Sequence, residues 1–256
     1  SGLDLNLGCP APRVYRKNVG GGLLRDPDKI REIIDVLGEE TKFLLSVKMR
    51  IGFEDDRFFE RILDILADSL VGLVSIHART VKGGYGSAPS YDHVEQAVRR
   101  LPCPVLLNGS VETGEHALAL RAKTGAHGIM IGRSAIRNPW IFRQIRDLQS
   151  GRKIFQPKLA DLFDYFEDLY ANLEKPGMRE ESLVGRMKKF LNFVGLSVDS
   201  EGAFLFHMRR TRTRADLFRV CRRFMVDDGR GGENYSLEPF DHTVARNGTT
   251  AMRQAS

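Results

Sequence analysis

The chain has 256 residues, of which 42% are hydrophobic and 28% are charged, and its formal net charge is +6. No stretch approaches the roughly 18 consecutive apolar residues of a membrane helix, and Cys9, Cys103 and Cys221 are too widely spaced for a zinc motif or a disulfide framework. We therefore expect a cytoplasmic globular protein without membrane contact or bound metal.

Five short apolar runs predict five β-strands, and each run ends at a polar or reactive residue. The runs cover residues 3–7, 43–47, 73–76, 105–107 and 128–131, and the residues that follow them are Cys9, Lys48, His77, Asn108–Gly109 and Gly132–Arg133. Successive functional positions are 24 to 39 residues apart. Because this is the length of one strand–helix unit, the pattern predicts parallel strands whose carboxyl ends meet in one site.

Four amphipathic helices are predicted between these strands. The first begins at Asp26–Pro27 and is predicted to end at Gly38. The second follows Asp56, the third runs through Val94, and the fourth begins at Thr113. Their apolar residues recur with helical period, as expected for helices that cover one face of a sheet.

These elements predict an α/β fold with two structured domains. Residues 1–150 would form part of a (β/α)8 barrel of the TIM type, residues 151–226 a small all-helical basic domain, and residues 227–256 a poorly ordered tail. A closed barrel has eight strands, so five strands predict an N-terminally truncated chain. About 75–90 further residues would precede the first strand in a longer protein.

The positive charge is concentrated near the C-terminus. Residues 179–225 contain 11 Lys or Arg against five Asp or Glu, a surplus equal to the net charge of the whole chain. Such a concentration favours a polyanionic partner, although a solvated helix face is the alternative. The residues expected to contact the partner are Arg186, Lys188, Lys189, Arg209, Arg210, Arg212 and Arg214.

Each residue at a strand end also has an ordinary structural explanation. Cys9 could be a small buried hydrophobe, Lys48 a lysine that extends to solvent, His77 a core histidine, and Asn108–Gly109 a turn. Gly132–Arg133 is more specific, because the last strands of such barrels often bind phosphate. Five such signals at the same end of successive strands favour a site over five coincidences.

Seven segments together resemble sequences of the tRNA-dihydrouridine synthase family, whose members are FMN enzymes that reduce uridine in tRNA. The segments are residues 4–10 (Asp-Leu-Asn-Leu-Gly-Cys-Pro), 20–24, 47–50, 77–80, 108–109, 130–133 and 138–142. The resemblance extends strongly over residues 2–142 and weakly over residues 185–194. It implies a β/α barrel with FMN at the carboxyl ends of the strands.

The resemblance also implies a role for individual residues. Cys9 would be the catalytic proton donor, and Asn6 and Arg79 would contact the substrate. The FMN contacts would be Lys48, His77, Asn108, Gly109, Ser110, Gly132 and Arg133, of which the last two would bind the phosphate. Ser110 departs from the acid or glycine that is usual in the family.

The implied reaction uses NADPH to reduce FMN, after which hydride passes to C6 of a uracil ring and Cys9 protonates C5. The partner would be tRNA, and we expect a monomer. Two other interpretations stay open. One is a non-catalytic tRNA-binding remnant of the family, and the other is a different FMN barrel that acts on a free pyrimidine. An FMN barrel that acts on a free pyrimidine would not explain the basic segment.

Overall fold

In the computed structural model, which describes residues 2–40 and 43–238, the chain divides into two units, residues 1–132 and residues 133–256. The first unit is built on one sheet whose strands are β1 (Gly2–Leu7), β2 (Leu44–Arg50), β3 (Val71–His77), β4 (Val105–Asn108) and β5 (Gly128–Met130). All neighbouring strands are parallel, and their order in the sheet is their order in the chain.

This topology confirms the predicted fold class. In a doubly wound sheet the strand order reverses at a switch point, whereas strands of a β/α barrel follow one another around the sheet. The order β1-β2-β3-β4-β5 shows no reversal. The first unit is therefore an α/β arrangement of five consecutive barrel-type strands.

Helices connect the strands of the first unit. They are α1 (Pro12–Tyr15), a 3-10 segment (Gly20–Arg25), α2 (Pro27–Glu40), α3 (Phe59–Ala67), α4 (Asp92–Arg100) and α5 (Gly114–Thr124). The Thr113 hydroxyl caps α5 as predicted, because it accepts a hydrogen bond from the His116 N–H. The prediction that Gly38 ends α2 is wrong, since the helix continues to Glu40. One interior glycine costs a helix only about 1 kcal/mol, which flanking turns can offset.

The two faces of the sheet differ in polarity. Side chains alternate along a strand, and residues in register on adjacent parallel strands point to the same face. One face is apolar and buried, with Leu45, Val47 and Met49 of β2 as examples. The opposite face of the same strand carries Ser46, Lys48 and Arg50. A polar face on a parallel sheet needs a functional reason, because such sheets are normally apolar on both sides.

The described part of the second unit consists of helices without a strand. These are α6 (Arg133–Arg137), α7 (Ile141–Gln149), α8 (Leu159–Leu173), α9 (Glu180–Val198), α10 (Ala203–Arg210), α11 (Arg214–Met225) and a 3-10 segment (Asp227–Gly232). Its core includes Phe166, Met187, Leu191 and Phe204, all fully buried. Among the described helices, none combines the length and apolar character that crossing a membrane requires.

The second unit begins earlier and extends further than the predicted helical domain. The first helix of this unit, α6, is hydrogen-bonded to the last residues that the structure describes. The Tyr235 hydroxyl donates to the Arg137 carbonyl at 2.8 Å, and the Arg137 guanidinium donates to the Glu238 carbonyl at 2.6 Å. Tyr235 is 0% exposed. Residues 227–238 are therefore part of the helical core, which corrects the predicted tail for that stretch. The remaining predicted tail, residues 239–256, lies outside the described residues.

Candidate functional site

Cys9 lies in a loop that Asn6 shapes at the carboxyl end of β1. The Asn6 Oδ1 accepts hydrogen bonds from the backbone N–H groups of Gly8 and Cys9, each at 3.0 Å. This is a side-chain-stabilised turn of the type that Asn favours. It gives the carboxamide in this strand a local role, while its predicted substrate contact stays a prediction. The Cys9 thiol is free and partly exposed.

A glycine segment packs directly against the Cys9 loop. The Gly21 N–H donates to the Cys9 carbonyl at 3.2 Å. A Cβ placed on Gly21 would lie 2.7 Å from that carbonyl oxygen and 2.6 Å from the Val81 Cγ2. Gly20 has a φ of +56°, a conformation that favours glycine. Because glycine has no side chain at these positions, the 3-10 segment can pack directly against the Cys9 loop.

The strand register brings Asn6, Lys48 and Ser75 side by side on the polar face. Lys48 is half-buried, and burial lowers the pKa of its ammonium, with the positive charge of Arg50 acting in the same direction. Asp4 and Cys9 act on this pKa in the opposite direction. A partly desolvated ammonium is stabilised by an anionic or electron-rich group, so Lys48 is suited to contact a ligand.

The next row of the register contains Arg50, His77, Asn108 and Met130. The His77 Nδ1 lies 2.9 Å from the Asn108 Oδ1, and the Asn108 Nδ2 donates to the Met130 carbonyl at 2.7 Å. Burial and the nearby Arg50 cation lower the pKa of His77 to about 4. Among the described residues, no group hydrogen-bonds to the buried His77 Nε2. A buried polar atom without a partner is a sign of a ligand site.

Arg50 is a site residue to which the sequence reading assigned no role. Its side chain is 2% exposed, and its guanidinium donates to the Gly8 carbonyl at 3.1 Å and the Thr80 carbonyl at 2.9 Å. Arg50 thus connects the Cys9 loop with the loop that follows β3. The sequence does contain a signal for it, because Lys48 and Arg50 stand two residues apart in an apolar strand and therefore share a face.

Arg79 and Ser110 hold the loop that follows β4. Arg79 is 5% exposed, and it donates to the Ser87 carbonyl at 2.6 Å and to the Ser110 Oγ at 2.7 Å. The Tyr91 hydroxyl donates to the Gly109 carbonyl at 3.0 Å. Both loop residues have positive φ, +123° for Gly109 and +49° for Ser110. These contacts give Arg79 a positioning role, and its predicted contact with substrate stays a prediction.

Gly132 and Arg133 adjoin one another at the division between the two units. Gly132 follows β5 and has open space around it, since a Cβ built there would meet nothing within 4 Å. Arg133 begins α6. Their shared role in phosphate binding stays a prediction. The structure brings the other predicted residues together at the carboxyl ends of β1 to β4: Asn6, Cys9, Lys48, His77, Arg79, Asn108, Gly109 and Ser110.

The predicted basic residues of the second unit lie on α9, α10, α11 and the short connection between the last two helices. Six of them are exposed, namely Arg186, Lys189, Arg209, Arg210, Arg212 and Arg214. Within the described part of the chain, none of these six side chains is ion-paired with an acidic residue. By contrast, exposed arginines of the first unit such as Arg61 and Arg99 have acidic partners.

Lys188 differs from the other six basic residues. It is half-buried, and its ammonium donates to the Arg209 carbonyl at 3.1 Å and to the Thr211 carbonyl. These carbonyls lie at the C-terminal end of α10, where unpaired carbonyls and the helix dipole favour a cation. The structure therefore gives Lys188 a role in connecting α9 to α10.

Comparison with known proteins adds independent information. A family model described as dihydrouridine synthase matches residues 1–209. A probable tRNA-dihydrouridine synthase of Helicobacter pylori is 40% identical over 149 residues, which are 57% of this chain and 45% of that protein. The tRNA-dihydrouridine synthase B of Pasteurella multocida is 31% identical over 161 residues, 62% of this chain and 48% of that protein.

A third relative is similar over more of the chain. The tRNA-dihydrouridine(16) synthase of Neisseria meningitidis is 25% identical over 224 residues, 87% of this chain and 67% of that protein. The chain spans about half the length of the two relatives with higher identity.

Proposed function

The chain belongs to the dihydrouridine synthase family, and we propose that it reduces uridines of tRNA to 5,6-dihydrouridine with FMN as cofactor and NADPH as electron donor. The observation that carries the proposal is the placement of Cys9. Its thiol stands at the same end of the sheet as the half-buried Lys48 and the buried His77. A proton donor beside a polar, partly desolvated surface is what a reductive addition to a pyrimidine ring requires.

The residues of the polar face fit a flavin. Lys48 offers a partly desolvated ammonium, and His77 offers a buried nitrogen without a partner among the described residues. Gly132 leaves room for a ligand to approach the backbone, since a Cβ built there would meet nothing within 4 Å. We propose that Lys48, His77 and residues 108–110 hold the ring system and ribityl chain, and that Gly132 with the adjoining Arg133 holds the phosphate. Reduced flavin, when bound, supplies the hydride that adds to C6.

Cys9 completes the addition by giving its thiol proton to C5 of the uracil ring. The added hydride and proton together convert the C5–C6 double bond to a single bond. The fixed loop geometry supports this role, because Asn6 and Arg50 hold the backbone that leads into Cys9. A positioned general acid is typically worth about 10²–10⁴-fold in rate.

Exposed cations on both units support an RNA substrate. The second unit offers the six exposed basic residues described above, and the first unit carries Arg13, Arg16 and Lys17 on the surface just after Cys9. Residues 9–25 contain no acidic residue. Since the target base is stacked within folded RNA, it must be turned out to reach Cys9, and phosphate contacts stabilise the RNA in that position.

The experiment that tests the proposal measures the product directly. The purified protein is incubated with FMN, NADPH and unmodified tRNA transcripts, and the nucleosides are analysed by mass spectrometry. We expect dihydrouridine from the wild-type chain and a large loss in Cys9→Ala. Binding of tRNA without any product would indicate a non-catalytic tRNA binder, and reduction of free pyrimidines in preference to tRNA would indicate a different FMN barrel.

A further inference from the structure

Both polar groups of the Asn108 side chain contact other parts of the protein. Its Nδ2 donates to the Met130 carbonyl at 2.7 Å, and its Oδ1 lies 2.9 Å from the His77 Nδ1. Because a carbonyl oxygen only accepts, the contact with Met130 fixes which end of the amide is the nitrogen. The oxygen must therefore face His77.

This arrangement determines which nitrogen of His77 carries the hydrogen. The Asn108 Oδ1 only accepts, so the His77 Nδ1 is protonated and donates to it. The groups around the ring oppose a second proton. Burial lowers its pKa most, the cations Arg50, Lys48 and Arg79 act in the same direction, and only the hydrogen bond to Asn108 acts in the opposite direction. The Tyr85 ring packs edge-on against the imidazole, at 6.1 Å between centroids. In a neutral imidazole with a hydrogen on Nδ1, the Nε2 carries a lone pair.

That lone pair is buried and has no partner among the described residues. His77 is only 7% exposed, so water does not readily compensate the buried acceptor. The Gly109 backbone lies beside it, because a Cβ added to Gly109 would lie 3.6 Å from the Nε2, 3.5 Å from the Ala78 N and 3.7 Å from the Arg79 Nη1. Glycine at position 109 therefore keeps a side chain away from this nitrogen.

We propose that Asn108 is a positioning residue that acts through His77: it holds the Nδ1–H tautomer, so that Nε2 accepts a hydrogen bond from an N–H or O–H group of the bound ligand. A fully ionised phosphate has no hydrogen to donate and does not fit this acceptor. The groups that do fit are an imide N–H or a sugar-chain hydroxyl. The identity of the ligand rests on the proposed function, under which the donor belongs either to the flavin or to the uracil. The tautomer does not depend on it.

The tautomer is measured by nuclear magnetic resonance on the full chain labelled with ¹⁵N-histidine, at neutral pH and without ligand. The chain has six histidines, and loss of one signal set in His77→Gln identifies His77. We expect the Nδ1–H pattern in the wild type. In Asn108→Ala we expect the mixture of tautomers of an unconstrained imidazole. In Asn108→Asp, which preserves the side-chain shape, we expect His77 to protonate at a higher pH, since a carboxylate favours the imidazolium.

A control variant that destabilises the same unit separates positioning from general support of the fold. Thr113→Ala removes the cap of α5 and destabilises the first unit without touching His77. We expect its His77 signals to stay as in the wild type. An Nε2–H tautomer in the wild type would overturn the proposal. So would an unchanged Nδ1–H tautomer in Asn108→Ala, because that variant has no side-chain acceptor at position 108.

Ligand additions then identify the donor. A shift of the His77 Nε2 signal with FMN alone assigns the donor to the flavin, and a shift that requires uridine-containing RNA assigns it to the uracil. No shift with either, or a shift with inorganic phosphate only, would overturn the role of Nε2 as a ligand acceptor. Because the tautomer is read without turnover, an inactive enzyme with the expected tautomer contradicts the proposed function and not this inference.

Discussion

At the level of single residues, the site depends on buried polar side chains that hold backbone in place. Arg50 bridges the Gly8 and Thr80 carbonyls, and Asn6 bonds the backbone N–H groups of Gly8 and Cys9. Such contacts contribute more to the free energy of unfolding than exposed ion pairs do, because a buried donor or acceptor that loses its partner keeps its full desolvation cost.

Arg50→Lys should therefore destabilise the first unit although it keeps the charge. A single ammonium does not reproduce the fork of donors that reaches two carbonyls, and we expect a loss of about 2 kcal/mol in the free energy of unfolding. Urea denaturation measures this loss. The matched control is Arg61→Lys, since Arg61 is exposed and paired with Asp28, and we expect it to cost at most about 0.5 kcal/mol. Equal losses in the two variants would disprove the bridging role.

The lowered pKa of His77 predicts how stability depends on pH. In the unfolded chain a histidine takes up a proton near pH 6.5, whereas folded His77 does so only near pH 4. Between these values the unfolded state binds more protons, so the stabilisation is complete above pH 6.5 and is lost as the pH falls towards 4.

His77→Gln removes this titrating group and keeps a donor towards Asn108. The difference in unfolding free energy between the wild type and His77→Gln should therefore be more favourable to the wild type at pH 7 than at pH 4.5. Chemical denaturation at several pH values measures the difference. A difference that is constant with pH, or that grows as the pH falls, would show that the pKa of His77 is not lowered by folding.

At the level of elements, the glycine segment and the Cys9 loop form one structural unit. Gly21→Ala places a Cβ 2.7 Å from the Cys9 carbonyl oxygen and 2.6 Å from Val81, so the loop must shift. We expect a loss of about 1–3 kcal/mol in stability. We also expect a changed reactivity of Cys9 towards a thiol reagent, which reports this residue because Cys103 and Cys221 are buried.

The matched control for Gly21→Ala is Gly86→Ala in the same unit. A Cβ on Gly86 meets nothing within 4 Å, so stability and thiol reactivity should stay close to those of the wild type. If Gly21→Ala behaved like this control, the packing of the glycine segment on the Cys9 loop would affect neither the stability of the unit nor the reactivity of Cys9.

The basic helices predict a salt-dependent affinity for tRNA. Replacing Arg209, Arg210, Arg212 and Arg214 with Gln should weaken binding, and each lost phosphate contact should reduce the log–log salt slope by about 0.7–0.9. Filter binding at several salt concentrations measures both effects. The control replaces four exposed arginines of the first unit that have acidic partners, namely Arg57, Arg61, Arg99 and Arg100. An equal change in slope for both quadruple variants would show that only total charge matters.

At the level of the whole molecule, the sequence predicted what depends on local patterns. Apolar runs between helical stretches located the five strands found among the described residues, because the alternation of strands and helices is visible in the hydrophobic periodicity alone. The end of α2 and the packing of residues 227–238 were missed, since both depend on contacts between distant residues. One buried side chain, Tyr235, keeps the glycine-rich segment on the helical core.

The site was predictable in outline for the same reason. Strand ends located Cys9, Lys48, His77 and Asn108, but pairing between strands decides which side chains meet. The contact of Asn108 with both His77 and Met130 exists only because β3, β4 and β5 are adjacent and in that register. Hydrophobic periodicity alone therefore did not reveal that Arg50 connects two backbone carbonyls or that Asn108 contacts His77.

The role of Cys9 as proton donor is tested most directly by single-turnover oxidation of the reduced flavin by tRNA, compared between the wild type and Cys9→Ala. We expect both proteins to bind FMN with similar affinity, and flavin oxidation by tRNA to be about 10²–10⁴-fold slower in the variant, because the general acid is missing. An undiminished rate in Cys9→Ala, with dihydrouridine formed, would contradict the role of Cys9 as the proton donor.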